Sequence, residues 1–187
     1  MIPANIQKIL DELEFHSWDS ETKCAEFINS FMQMVGTKSA LEVGVFRGTT
    51  SLFMIDALES GGYTGVDIED HRPESIKKYF KANKANLIVK NSHEALQELA
   101  AKGSKFDLIF IDGLHEFYHA LQDFKLSEML INNGGYILLH DTLLIPDVMK
   151  VRDYIKSWGH FDVITLETPD IEGRGGMSGV TVVKCNY

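Results

Sequence analysis

The apolar positions along the chain keep two rhythms. From residue 1 to about 35 they fall at helical spacing. Ile6, Ile9, Leu10 and Leu13 make one stripe, and Ala25, Ile28, Phe31, Met32 and Val35 make another. The break between them, "HSWDSET", carries the N-cap candidates Asp19 and Ser20. After that, short apolar runs alternate with helical stretches. "SALEVGV" leads into "TTSLFMIDALES", and "GYTGVDI" into "PESIKKYFKAN", where Pro73 suits a helix start. "NLIVK" leads into "SHEALQELAAK", "FDLIFID" into "YHALQDFKLSEMLI", and "GYILLHD" into "PDVMKVRDYIKSW". The chain closes with "FDVITLET", a glycine-rich loop and "VTVVK".

Five strand-then-helix units in succession predict an α/β fold, a parallel sheet covered by helices on both faces. The last two strands, joined by a loop and no helix, predict an antiparallel hairpin on one edge of a seven-stranded, mostly parallel sheet. Two N-terminal helices, residues 1–37, precede a domain at 38–187, and the two together form one compact unit. In such sheets ligands bind beyond the carboxyl ends of the strands, at the point where strand order reverses. Residues just after each strand are therefore the ones to search for chemistry.

Composition narrows the picture without redirecting it. The 187 residues suit one domain with a substantial core, at 44% hydrophobic and 24% charged. Eighteen Lys and Arg against 27 Asp and Glu give a net charge of −9, which argues against a nucleic-acid or acidic-membrane partner. No apolar run reaches the roughly 18 to 20 residues of a membrane span. The acidic, amphipathic start lacks the character of a signal peptide. Cys24 and Cys185 stand in no metal-like spacing, and reduced thiols in a cytoplasmic protein are the simplest reading.

Residues 115–119 spell H-E-x-x-H, the pattern of zinc proteases. Those enzymes hold both histidines on one helical face. Here His115 comes three positions after a predicted buried strand, in a turn, and only His119 falls within the helix, so the zinc-protease reading is set aside.

The other strand ends are informative. "LEVGVFRGTT" places Glu42, Gly44 and Gly48 as E-x-G-x-x-x-G, where glycines admit a ligand close to the backbone and the following helix offers free N–H groups. Phe46 stands where a dinucleotide motif has its second glycine. A carboxylate at Glu42 would repel a pyrophosphate and suit a cationic ligand part; the alternative is a tight turn with a capping acid. Asp67, ending "GVD", is placed to accept hydrogen bonds from ribose hydroxyls. Ser92 or His93 can touch an adenine ring, with helix capping by Ser92 the preferred reading. Asp112 and His115 follow the fourth strand, and His140 and Asp141 follow the fifth. With strands one, four and five adjacent, these four residues converge on a pocket able to hold a divalent cation or run acid–base chemistry. Local capping by His140 and Asp141 is the alternative.

Taken in order and spacing, "LEVGVFRGTT", "GVDIED", "FDLIFIDGLHEFYHALQD" and "GGYILLHDT" resemble a class I S-adenosylmethionine-dependent methyltransferase over residues 38 to 184. "IDGLHEFY" followed by "GGYILLHD" resembles in particular the small-molecule O-methyltransferases, including bacterial sugar-modifying enzymes and, more distantly, catechol and caffeoyl-CoA O-methyltransferases. The resemblance implies a Rossmann-like doubly wound sheet. It implies a cofactor site of Glu42, Gly44, Gly48, Thr50, Asp67, Ser92 and Asp112, with Thr50 near the cofactor carboxylate. It also implies a base at His115 and a divalent ion, Mg²⁺ or Mn²⁺, on Asp112, His140 and Asp141. His140 departs from the acid that catechol-type enzymes carry there, and an imidazole suits Mn²⁺, Fe²⁺ or Zn²⁺ better than Mg²⁺.

The expected function is O-methylation of a small hydroxylated acceptor, a sugar or a phenol. Two readings compete: a cofactor-binding protein without catalysis, and a metal-dependent hydrolase using Asp112, His115, His140 and Asp141. The acceptor pocket is expected to draw on the N-terminal helices, the segment after Asp141 and the loop "TPDIEGRGGMSG". Phe15, Trp18, Arg174 and Met177 are candidates to line it, and a homodimer could complete it.

Overall fold

A computed structural model describes residues 2–13, 22–168 and 178–186. Asp19, Ser20, Phe15, Trp18, Arg174 and Met177 lie outside the described residues. Within them the helices are α1 (Ala4–Asp11), α2 (Thr22–Val35), α3 (Thr49–Asp56), α4 (Glu74–Ala82), α5 (Ser92–Ala101), α6 (Phe117–Glu128) and α7 (Pro146–Ser157). The strands are β1 (Ala40–Val43), β2 (Tyr63–Asp67), β3 (Asn86–Val89), β4 (Phe106–Ile111), β5 (Ile131–Leu139), β6 (Asp162–Leu166) and β7 (Val180–Lys184).

The seven strands form one sheet in the order β3-β2-β1-β4-β5-β7-β6. The first five in that order run parallel, while β7 pairs antiparallel with both β5 and β6. This is the Rossmann-like doubly wound sheet with an antiparallel edge pair that the sequence predicts. Strand order reverses between β1 and β4, because the chain winds outward through β2 and β3 and then returns to the other side of β1.

Alternation along β4 shows how two faces are buried at once. Ile109 and Ile111 enter one core layer with Leu96, Phe124, Val151 and Ile155 from α5, α6 and α7. Leu108 and Phe110 enter the other with Ile6, Ile28, Leu52, Phe53, Ile76 and Phe80 from α1 to α4. Both sides being covered, the central strands read as continuous apolar runs. Cys24 and Cys185 are buried in opposite layers. Helix α3 is buried from Thr49 through Ile55, hydroxyls included, because α2 packs over it while it lies on the sheet.

Candidate active site

The turn after β1 is built around glycine. Gly44 has φ +90°, and a Cβ on it would stand 2.1 Å from the Asp112 carbonyl oxygen, so the ends of β1 and β4 can meet only with glycine here. Gly48, at φ +85°, precedes α3 and lies against Ile76. Between them Phe46 adopts φ +47°, and across the site Asp141 adopts φ +55°. Left-handed backbone at a non-glycine residue costs on the order of 1 kcal/mol, and of the three such residues described, Phe46 and Asp141 line the same cavity while Lys84 does not.

That cavity, of about 870 Å³, opens at the β1/β4 switch point. Its lining includes Glu42, Gly44, Gly48, Thr50, Asp67, Ser92, Asp112, His115, His140 and Asp141, so every candidate residue faces one space. What each side chain does there differs from its simplest sequence reading.

Glu42 is 1% exposed, and its Oε2 accepts hydrogen bonds from the Ser51 hydroxyl (2.5 Å) and the Tyr63 hydroxyl. Burial pushes its carboxyl up to about 8, against the lowering effect of those two hydroxyls. Asp67 Oδ2 accepts from the backbone N–H groups of Val45 (2.8 Å) and Phe46 (2.6 Å), and Oδ1 from Glu69 N–H (3.2 Å). It therefore fixes the glycine turn as well as facing the cavity. The Thr50 hydroxyl is buried with no hydrogen-bond partner among the described residues, an orphaned donor on the cavity wall at the start of α3. The preferred capping role of Ser92 is corrected: Asn91 caps α5, its side chain accepting from His93 N–H at 3.0 Å, and Ser92 is the first helical residue. The sequence held that signal, since Asn91 stands three residues before Glu94 as a capping box requires.

Beside Gly44, just past the end of β4, Asp112 gathers imidazoles. Its Oδ1 lies 3.3 Å from His115 Nε2 and 3.0 Å from His140 Nδ1. His115 Nε2 is also 3.5 Å from Asp141 Oδ2. Ligand atoms of Asp112, His115 and Asp141 all lie within 4.8 Å of one another. His140 sits behind them, its side chain 2% exposed and its ring edge-on to Phe110. Burial would raise the Asp112 carboxyl, but the charge of His140 and the hydrogen bonds from both rings outweigh it and hold the group well below the usual carboxylate range. For His115, burial acts to lower its pKa, yet the Asp112 hydrogen bond and the two carboxylate charges win and raise it. Two carboxylates and an imidazole so placed can take a proton from a bound hydroxyl or hold a divalent cation.

The H-E-x-x-H histidines part company. His115 precedes α6 and faces Asp112, whereas His119, inside α6, stacks on His93 with ring centroids 4.0 Å apart. The ends of the glycine-rich loop meet beside Asp141: Gly179 N–H donates to Thr168 Oγ1, and Thr142 N–H to the Gly179 carbonyl.

A family model described as a methyltransferase domain matches residues 41–142, just over half of the chain. The probable caffeoyl-CoA O-methyltransferase 3 of Dictyostelium discoideum is 33% identical over 143 residues, covering 70% of this chain and 56% of its own length. Caffeoyl-CoA O-methyltransferase 1 of Zea mays is 26% identical over 178 residues, covering 87% of this chain and 68% of its own length. The chain thus spans little more than half of the Dictyostelium relative. In fold it is similar to the O-methyltransferase of Bacillus cereus solved in complex with SAH, at TM-score 0.82 and 16% identity over 100% of this chain and 92% of that one. The chain belongs to the methyltransferase-domain family, in its class I, S-adenosylmethionine-dependent form.

Proposed function

We propose that the protein is an S-adenosylmethionine-dependent O-methyltransferase acting on a small hydroxylated molecule. One observation carries the reading. The glycine turn, Asp67 and the Asp112–His115–Asp141 group share one cavity at the switch point, so a cofactor on one wall would meet an acid–base group on the other.

The chain's residues fit the cofactor. The orphaned Thr50 hydroxyl and the N-terminus of α3 suit its carboxylate. Asp67 would take the ribose, and Ser92 would lie near the adenine; both line the cavity. Glu42 would meet the ammonium group, whose positive charge would favour the ionised carboxyl and release its proton to solvent. Bound here, S-adenosylmethionine supplies an activated methyl group. The chain aligns the acceptor oxygen with it and removes the hydroxyl proton; alignment alone is worth several kcal/mol, on the order of 7 in favourable cases. His115 takes that proton at Nδ1, while Nε2–H donates to Asp112 Oδ1, which orients the ring and stabilises the imidazolium formed. Leu114, Leu144 and Ile145 in the cavity lining favour an acceptor with an apolar face, a phenol over a sugar. The relatives' names, caffeoyl-CoA O-methyltransferases, support an oxygen acceptor.

The closeness of Asp112, His115 and Asp141 favours a second version of the same reading, in which they hold a divalent cation and His115 is a ligand. The ion would lower the acceptor's hydroxyl pKa. Two carboxylates fit Mg²⁺ or Mn²⁺, and an imidazole, from His115 or from His140 behind, shifts the preference toward Mn²⁺.

Calorimetric titration with S-adenosylhomocysteine, with and without Mg²⁺ or Mn²⁺, tests both versions. Micromolar binding that Asp67→Ala weakens supports the cofactor site. Metal-dependent binding or turnover supports the cation version. No binding under either condition would overturn the methyltransferase reading.

A further inference from the structure

A group of titratable side chains outside the methyl-transfer site remains unexplained. Helix α6 presents His119 and Asp123 one turn apart, the i, i+4 spacing that puts two side chains on one face. Helix α5 packs against α6 and brings His93, in its first turn, onto that face. The two rings stack at 4.0 Å, and His93 Nε2 lies 3.5 Å from Asp123 Oδ1 and 3.4 Å from the His119 carbonyl oxygen. One ligand atom from each of the three residues falls within 4.8 Å of the others.

Asp123 is the telling member. It is 1% exposed, and among the described residues neither carboxyl oxygen accepts a well-formed hydrogen bond; burial raises its carboxyl against the lowering effect of the nearby Ser92 hydroxyl and the two histidines. A carboxylate buried without a partner costs several kcal/mol unless a cation or a donor meets it. An ordinary packing role would be filled better by an amide or an apolar residue. Two imidazoles and one carboxylate form a borderline donor set, suited to Zn²⁺, Co²⁺ or Ni²⁺ and ill suited to Mg²⁺.

We propose that His93, His119 and Asp123 bind a divalent transition metal, separate from the Asp112 group, with water completing its coordination. Around Zn²⁺, tetrahedral ligand atoms sit about 3.4 Å apart, a spacing that His93 Nε2 and Asp123 Oδ1, at 3.5 Å, already have. His119 and Ser92 line the cofactor cavity, so an ion held here stiffens the wall on which an adenine would rest. The second histidine of H-E-x-x-H thereby acquires a metal role with partners that no protease motif supplies.

The probe is Zn²⁺ itself, competed against a chromophoric chelator on the full chain. In an Asp112→Asn/Asp141→Asn background, which disables the other group, one equivalent of Zn²⁺ is expected to bind, with Mg²⁺ failing to displace it. Adding His119→Gln is expected to weaken Zn²⁺ by more than the roughly 10- to 100-fold typical of disturbing an outer partner. Co²⁺ should give a visible ligand-field band that the same substitution abolishes. Asp123→Asn should act alike; if it unfolds the chain, half-buried His119 and His93→Gln decide the matter. Should the background itself not fold, the wild-type chain is expected to lose one equivalent on His119→Gln. Zn²⁺ affinity unchanged by His119→Gln and His93→Gln, or absence of any Zn²⁺ equivalent, would overturn the proposal. None of these readouts depends on methyl transfer.

Discussion

Glu42, on β1, and Asp112, just past the end of the adjacent β4, both line one cavity, yet their carboxyls are driven to opposite charge states. Glu42 faces two hydroxyls, which can share a proton but bring no charge, so burial dominates and the group rises to about 8. Asp112 faces two imidazoles, and their positive charge overrides a burial effect of the same sign. Burial alone does not decide ionisation; the chemistry of the nearest partner does. Two carboxyls that line one cavity, from adjacent strands, are thus held in different states near pH 7.

Removing the anionic member should have the largest effect. Asp112→Asn leaves two imidazoles without their counter-charge and His115 without its orienting partner. Methyl-transfer turnover should fall by about 10²- to 10⁴-fold, the range for a positioned acid–base group, with the fold retained by circular dichroism. His115→Ala should cost about 10²-fold or more at neutral pH. Turnover of the unsubstituted chain in the absence of metal should rise with pH through the raised His115 pKa, since only the neutral ring accepts a proton. A His115→Ala rate equal to the original would remove the ring from the chemistry and leave the cation version of the site.

The neutral member is tested through stability. Unfolded, Glu42 loses its proton near 4.5; folded, it keeps it to about 8. The folded state therefore binds the extra proton between those values. Its contribution to stability is fully present below about 4.5 and fades as pH rises through 8, by on the order of 5 kcal/mol. Glu42→Gln, which imitates the protonated form, should flatten that part of the slope in denaturant melts between pH 5 and 8.5. An identical slope in both chains would mean that Glu42 is ionised in the fold.

The legible and illegible parts of this contrast divide along a physical line. Strand and helix periodicity, and hence the β1–β4–β5 neighbourhood, follow from local pattern, so the meeting of Asp112, His115, His140 and Asp141 could be expected from the chain alone. The partners of Glu42 could not. Tyr63 is 21 residues away, and it reaches Glu42 because β1 pairs with β2 in the register Glu42↔Gly65. A Cβ on Gly65 would stand 2.9 Å from the Tyr63 hydroxyl, so the missing side chain leaves that hydroxyl its room. Asp123 was equally silent, as an acid on a helix reads as solvated until α5 is packed over it. The capping by Asn91 was written in the chain, one position ahead of the serine that drew attention.

The smallest effect bears on the same hydroxyls. Tyr63 O–H donates to Glu42 and lies 2.8 Å from the Ser51 hydroxyl, so three buried polar groups satisfy one another. Tyr63→Phe keeps the ring that packs edge-on against Phe80 and deletes only the donor. Loss of one hydrogen bond within a satisfied network should cost about 1 kcal/mol at pH 6, where Glu42 is protonated. The deleted hydroxyl also favoured the ionised carboxyl, so the pH at which stability fades should move upward. The two readouts are independent: unfolding midpoints at pH 6 give the first, and the position of the pH slope gives the second. A stability loss with no upward movement would assign Tyr63 to packing and leave Ser51 as the only hydroxyl acting on the charge of Glu42.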